Sequence, residues 1–80
     1  MVKTVDGQFD VKLEFEDDSF ELTRASISKD GRFSVDTKTV KAPSKIKMVL
    51  MRDEQLLEYR CVVEEVAQNI ATGVVVKVEN

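Results

Sequence analysis

The stretch Glu54-Gln55-Leu56-Leu57-Glu58-Tyr59-Arg60-Cys61-Val62-Val63-Glu64-Glu65-Val66-Ala67-Gln68-Asn69-Ile70-Ala71 decides the fold, because it reads two ways. As a strand, it places Leu57, Tyr59, Cys61 and Val63 on one apolar face. As a helix, it places Leu56, Tyr59, Val63, Val66 and Ile70 on one stripe at three-and-four spacing. Asp53 is a suitable helix cap, and Gly73 follows where a helix would stop. Periodicity does not separate the two readings. The β-prone run Tyr59-Arg60-Cys61-Val62-Val63 leans toward the strand. A strand here makes the chain all-β, with six strands in a small barrel or sandwich. A helix over about 53–71 makes it α+β: four strands, a crossover helix and a final strand.

The flanking segments are strand-like. Phe9, Val11, Leu13 and Phe15 alternate with Asp10, Lys12 and Glu14, the period of a half-buried antiparallel strand. Glu16-Asp17-Asp18-Ser19 reads as a turn, and Phe20 to Ile27 as the returning strand. The alternation slips there: Phe20 and Leu22 share one parity, Ala25 and Ile27 the other. A bulge near Thr23-Arg24 would reconcile them. Ser28-Lys29-Asp30-Gly31 is the next turn, with Gly31 supplying a positive φ. Arg32 to Asp36 follows, with Phe33 and Val35 inward. Thr37 to Ser44 is a polar connection holding the only proline, Pro43. Lys45 to Met51 is a strand with Ile46, Met48 and Leu50 inward. Gly73 to Glu79 closes the chain, Val74, Val76 and Val78 alternating with Val75, Lys77 and Glu79.

Eighty residues are enough for one domain, spanning 1–80. A chain this short buries only ~60% of the surface it exposes when unfolded, so its core is thin. The net charge of −3 disfavours binding to nucleic-acid polymers, which depends on Lys and Arg displacing counterions. The acidic run Glu14, Glu16, Asp17 and Asp18 and the basic set Lys38, Lys41, Lys45 and Lys47 read as a solvated loop and a protected sheet edge. No segment has the apolar length of a membrane span, and the N-terminal residues lack the apolar core of a signal peptide. A cytoplasmic protein without membrane contact is the expectation.

The chemistry of catalysis is sparse. The chain has no histidine, the commonest general base and metal ligand. Its one cysteine, Cys61, lies in an apolar run and reads as a buried structural thiol. The ordinary zinc constellations are excluded, and Gly7, Gly31 and Gly73 are too dispersed for a phosphate loop. Neighbouring carboxylates such as Asp17 with Asp18, or Glu64 with Glu65, point to opposite faces of an extended chain. Phe9, Phe15, Phe20, Phe33 and Tyr59 mostly take inward parity, which suits a core better than a base-stacking platform. No enzyme, metal or cofactor is expected.

One segment resembles a family motif. Ser26-Ile27-Ser28-Lys29-Asp30-Gly31, followed by Arg32-Phe33-Ser34-Val35, is similar to the Asp/Asn-x-Ser-x-x-Gly turn and following strand of PilZ domains. Lys45 to Leu50 looks like that family's mid-domain strand, Leu57 to Val66 like its long following strand, and Ala71 to Val76 like its Gly-led closing strand. The likeness covers roughly Phe20 to Val78. It implies a six-stranded antiparallel β-barrel, and so a strand rather than a helix in the ambiguous stretch.

Many PilZ domains are bacterial receptors for cyclic di-GMP, gripped by an Arg-x-x-x-Arg segment before the first strand. Guanidinium forks donate in pairs to phosphate oxygens and to the guanine edge. This chain departs from the pattern. No arginine precedes Arg24, the corresponding place reads Lys3-Thr4-Val5-Asp6-Gly7, and Ser26 stands where the family has Asp or Asn. Ser28 and Gly31 match. Charged hydrogen bonds contribute about 1.5–3 kcal/mol each, so losing two forked cations predicts weak or no binding of cyclic di-GMP.

The resemblance therefore implies a degenerate, non-enzymatic PilZ-like signalling or adaptor module that acts through a protein partner. One alternative keeps a cyclic di-GMP or other nucleotide site on Ser26, Ser28 and Gly31, with Lys3, Arg24 or Arg32 replacing the missing arginines. Another is a small barrel subunit of an oligomeric assembly.

Overall fold

Residues 55–67 are extended, and a tight turn at each end explains why. In the computed structural model, which describes residues 3–79, Asp53 and Glu54 have φ of 52° and 65°, and Gln68 and Asn69 have φ of 53° and 63°. Two successive left-handed residues interrupt a right-handed helix but match the twist of a two-residue β-hairpin. Between them runs β5 (Gln55–Ala67). It is preceded by β1 (Gly7–Glu14), β2 (Phe20–Ile27), β3 (Arg32–Asp36) and β4 (Ser44–Arg52), and followed by β6 (Ile70–Glu79). The all-β expectation holds, and the helix over about 53–71 is overturned.

The strands close into an antiparallel barrel in the order β1-β2-β3-β6-β5-β4. The thirteen residues of β5 reach across it. They pair with β4 from Ser44↔Val63 to Arg52↔Gln55, and with β6 from Glu58↔Glu79 to Ala67↔Ile70. The β5–β6 register shifts between Arg60 and Cys61 and between Val63 and Glu65, the kind of irregularity that coils a strand around a closed sheet. Closure is completed where β1 meets β4, from Val11↔Leu50 to Glu14↔Lys47.

Inward parity fills the interior. Leu13, Met48, Val63 and Ala71 have no solvent exposure, and Phe33, Val35, Ile46, Leu50, Tyr59 and Cys61 are buried around them. The Tyr59 hydroxyl accepts a hydrogen bond from the Val5 amide at 3.2 Å, so the one large polar tip in the core has a partner.

Two details of the strand patterns differ from the sequence reading. The β1–β2 register runs unbroken from Gly7↔Ile27 to Glu14↔Phe20, so there is no bulge at Thr23-Arg24. The inward positions of β2 are Glu21, Thr23, Ala25 and Ile27, while Phe20 and Leu22 point outward. Polar groups are tolerated inside because they lie at the barrel mouth and are satisfied by the end of β3 and the β3–β4 loop. Thr23 donates to the Asp36 carbonyl at 2.8 Å. In β6 the valine row Val74-Val76-Val78 is not the core face: Ala71, Gly73 and Val75 are buried, while Val76 and Val78 are exposed. The strand also begins at Ile70 rather than Gly73.

Gly73 marks the closest backbone approach. A β-carbon built there would lie 2.0 Å from the Val62 carbonyl oxygen and 3.0 Å from the Val63 Cα. Neither atom is a flexible side-chain end, so β5 or β6 must move to admit a methyl group. Gly73→Ala is expected to destabilise the barrel by about 3 kcal/mol, the upper range for overpacking. Urea unfolding followed by circular dichroism measures this, and an unchanged midpoint would contradict the packing described.

Candidate functional site

The turn between β2 and β3 is built by Ser28 and Gly31. Gly31 has φ of 88°, and its amide donates to the Ser28 carbonyl at 3.1 Å. The Ser28 amide donates to the Arg32 carbonyl at 2.9 Å, and the Ser28 hydroxyl donates to the Asp30 carboxylate. Asp30 also accepts from the Arg32 amide at 3.3 Å. The hydrogen bond from Ser28, then that from the Arg32 amide, lowers the Asp30 pKa. The Gly31 carbonyl accepts from Val75 at 2.7 Å, which pins the turn to β6. The Thr4 amide donates to the Lys29 carbonyl at 3.4 Å, so the segment before β1 lies alongside the turn.

Ser26, Ser28 and Arg32 line one open groove of about 470 Å³, with Asp6, Gln8 and Ser34. Gly31 is buried beneath the turn, Lys3 is exposed but does not line the groove, and Arg24 borders the adjoining surface with Ser26 and Ser34. The two arginines are not free forks. Arg24 lies 3.6 Å from Asp10, and Arg32 donates to Glu64 at 3.3 Å. A phosphate approaching either would share the guanidinium with a carboxylate, with Asp6 and Asp30 close by. The site thus has hydroxyls and shape but no uncommitted paired cation to hold a dianion.

Among the described residues no cluster of three His, Cys, Asp or Glu side chains is arranged to hold a metal ion. Cys61 is buried in the core, and burial pushes its thiol pKa up to about 12. It is protonated and non-nucleophilic at neutral pH. No helix among the described residues is long and apolar enough to cross a membrane.

A different surface carries the most unusual chemistry. Phe20 is 58% exposed, Leu22 72%, Met51 63% and Leu56 51%. All four project from the outer face of β2, β4 and β5. Lys12, between them on β1, lies opposite Leu22 on one side and Val49 on the other. Its ammonium sits 4.9 Å from the centre of the Phe20 ring. Sequence reading did not single out this face. Its signal was present as apolar residues of the wrong parity: Phe20 and Leu22 against Ala25 and Ile27, Met51 against Met48 and Leu50, Leu56 against Leu57 and Tyr59.

At the barrel mouth Glu21 organises the loop that leads to β4. Its carboxylate accepts from the Thr37 hydroxyl at 2.7 Å, the Lys38 amide at 3.0 Å and the Thr39 hydroxyl at 3.0 Å. The buried Thr37 oxygen in turn accepts from Val40 at 3.0 Å. Partial burial works to raise the Glu21 pKa. The hydrogen bonds from Thr37, Lys38 and Thr39 outweigh it, and the net shift is downward.

No protein-family model, curated protein or solved structure matches this chain.

The Glu21 geometry predicts a pH signature. A carboxyl whose folded pKa lies below its unfolded value stabilises fully above that unfolded value and loses the contribution as pH falls through the folded one. The Lys38 amide resonance should therefore titrate with a midpoint below the ordinary 4.5 of a glutamate. In Glu21→Gln it should stay constant over that range. Two-dimensional amide NMR reads both, and a wild-type midpoint above 4.5 contradicts the arrangement.

Proposed function

We propose that this chain is a non-enzymatic binding module, a degenerate PilZ-like domain that works in bacterial signalling through contact with protein. The observation carrying this reading is the outer face bearing Phe20, Leu22, Met51 and Leu56. Leu22, Met51 and Leu56 line one open groove with Lys12 and Val49, Phe20 lies beside it across Lys12, and the largest apolar patch on a small protein is often a functional one. Aromatic and Met side chains are also enriched in the buried centres of protein interfaces.

The anion-binding alternative has less support. The groove beside the β2–β3 turn brings together Ser26, Ser28 and Arg32, three of the residues a nucleotide reading requires. Yet Arg24 and Arg32 are engaged by Asp10 and Glu64. The one Ser28 hydroxyl proton already has two acceptors within reach, the Asp30 carboxylate and the Arg32 carbonyl. A site whose donors serve its own turn gains little when a ligand replaces those acceptors.

Titration calorimetry with cyclic di-GMP tests the reading. The expected result is no saturable heat at ligand concentrations up to about 100 μM, a free-energy ceiling near −5.5 kcal/mol. Micromolar or tighter binding that weakens in both Ser28→Ala and Arg24→Ala would overturn it in favour of a nucleotide receptor.

A further inference from the structure

We infer that the free edge of β2, from Phe20 to Leu22, receives an extended segment of another protein by strand addition. The inference rests on the protein-contact reading above and names the partner's chemistry: a strand in which apolar residues alternate with small polar ones.

Backbone direction on β2 is fixed by its neighbours. The Phe15 amide donates to the Ser19 carbonyl at 3.0 Å, and the Ser28 amide donates to the Arg32 carbonyl at 2.9 Å. Peptide groups alternate in direction along a strand, and the β1–β2 register is unbroken. Odd-numbered residues of β2 therefore turn their N–H and C=O toward β1, and even-numbered ones toward β3. Yet β3 meets β2 only from Ala25↔Val35 to Ile27↔Phe33. Past that point the chain leaves the sheet. The Lys38 amide goes to the Glu21 carboxylate at 3.0 Å, and the Thr39 and Val40 amides go to the Thr37 hydroxyl oxygen at 3.2 and 3.0 Å. Among the described residues none of the loop's donors reaches the backbone of Phe20 or Leu22. The N–H and C=O of both residues thus face sideways out of the sheet, open to a new strand.

An open row of peptide groups selects an extended backbone, because a strand offers donors and acceptors at the matching spacing. The side chains select the sequence. Phe20 and Leu22 stand on the outer face, 58% and 72% exposed, with Glu21 between them on the inner face. Residues of an added strand alternate faces in the same way. The two set opposite Phe20 and Leu22 point outward and gain by being apolar. The one between them is opposite Glu21. That carboxylate already accepts from Thr37, Lys38 and Thr39, so a small neutral side chain fits there and a second carboxylate does not.

The same rule disfavours a second copy of this chain. Its β2 edge, laid antiparallel with Phe20 against Leu22, sets Glu21 directly opposite Glu21, and like charges so placed are destabilising. Registers two residues either way bring in Arg24, beside which the end of β3 lies, or Asp18, whose φ of 68° belongs to a turn.

Amide NMR on the full chain tests the inference with the probe acetyl-Ser-Val-Thr-Val-Ser-Lys-amide. In the free chain the Phe20 and Leu22 amides should exchange with solvent faster than those of Glu21 and Thr23. Probe added up to about 1 mM should give saturable shifts along β2 and slow exchange at Phe20 and Leu22 at least tenfold. N-methylation separates backbone pairing from apolar contact. One alternate set of probe amides faces β2, and methylating it should abolish binding; the other set faces away, and methylating it should leave binding intact. Phe20→Ser and Leu22→Ser should each weaken binding at least fivefold, whereas Val76→Ser, exposed on β6, should not. Circular dichroism checks that each variant keeps the strand spectrum; if one misfolds, the other carries the test. Protected Phe20 and Leu22 amides in the free monomer overturn the inference, as do the absence of saturable shifts at about 1 mM probe or equal effects of the two methylated sets. A wild-type dimer in sedimentation velocity with those two amides protected also overturns it, in favour of a second copy. A photo-crosslinker at position 22 separates the inference from the reading beneath it. A chain that ignores the probe but crosslinks there to a different protein loses strand addition and keeps the protein contact. Tight cyclic di-GMP binding weakened by both Ser28→Ala and Arg24→Ala defeats the protein-contact reading, and the inference with it.

Discussion

Closure of six short strands around an interior filled by a single layer of side chains is the constraint on which the rest of this molecule depends. In an open sheet a strand can slip, flatten or bulge without disturbing distant neighbours. In a closed barrel each strand is paired on both sides, so its parity is fixed twice over. The approach of Gly73 to the Val62 carbonyl expresses this in β5 and β6. The unbroken β1–β2 register expresses it in β2. Once Val11 and Leu13 turn inward on β1, Ala25 and Ile27 must turn inward on β2. Phe20 and Leu22 are then carried to the outer surface however apolar they are.

The same constraint explains what could be read in the sequence and what could not. Alternation in β1, β3 and β4 identified their core faces, because Phe9 to Phe15 and Phe33 with Val35 sit in unmixed patterns, and Ile46, Met48 and Leu50 keep one parity although Val49 and Met51 share the other. The long stretch after Asp53 was ambiguous because Leu56 and Val66 fit a helical stripe, while Leu57, Tyr59, Cys61 and Val63 fit a strand. The turn residues settle it, through the left-handed pairs Asp53-Glu54 and Gln68-Asn69, of which Asp53 and Asn69 carry a side-chain preference for that conformation and Glu54 and Gln68 do not. The slip in β2 was legible as a slip. A bulge was the natural remedy only on the premise that large apolar residues belong inside, a premise that fails when a surface has work of its own.

The polar candidates show a similar division. Ser26, Ser28 and Arg32 do converge on one groove, and Gly31 adopts the left-handed conformation assigned to it. Sequence spacing could not show where each donor is spent. The pairing of Arg24 with Asp10 is a cross-strand contact fixed by the β1–β2 register, and that of Arg32 with Glu64 spans 32 residues of chain. Electrostatics in so small a barrel is largely such cross-strand traffic. Lys47 has Glu14 and Arg60 has Glu79 on the next strand, while Lys12 and Lys77 find a carboxylate on their own strand. These pairs knit neighbouring segments of the surface together.

This bears on why an exposed apolar face is tolerable. A closed barrel leaves few unpaired strand edges, the commonest route to uncontrolled association. Stickiness placed on such a scaffold is confined to side chains on one face, flanked by charges of both signs. Like charges brought opposite one another penalise a misplaced partner, while the right orientation satisfies them. Lys12, at the middle of the face, serves both ends. Its stem extends the apolar surface, and its ammonium engages Phe20 and, at 3.2 Å, Glu14. The parity slip in β2 thus leaves Phe20 and Leu22, residues that a thin core could have used for stability, on the outer surface. The barrel keeps its fold because Glu21 and Thr23, which take the inward places, are satisfied at the mouth, Glu21 by the loop that leads to β4 and Thr23 by the Asp36 carbonyl at the end of β3.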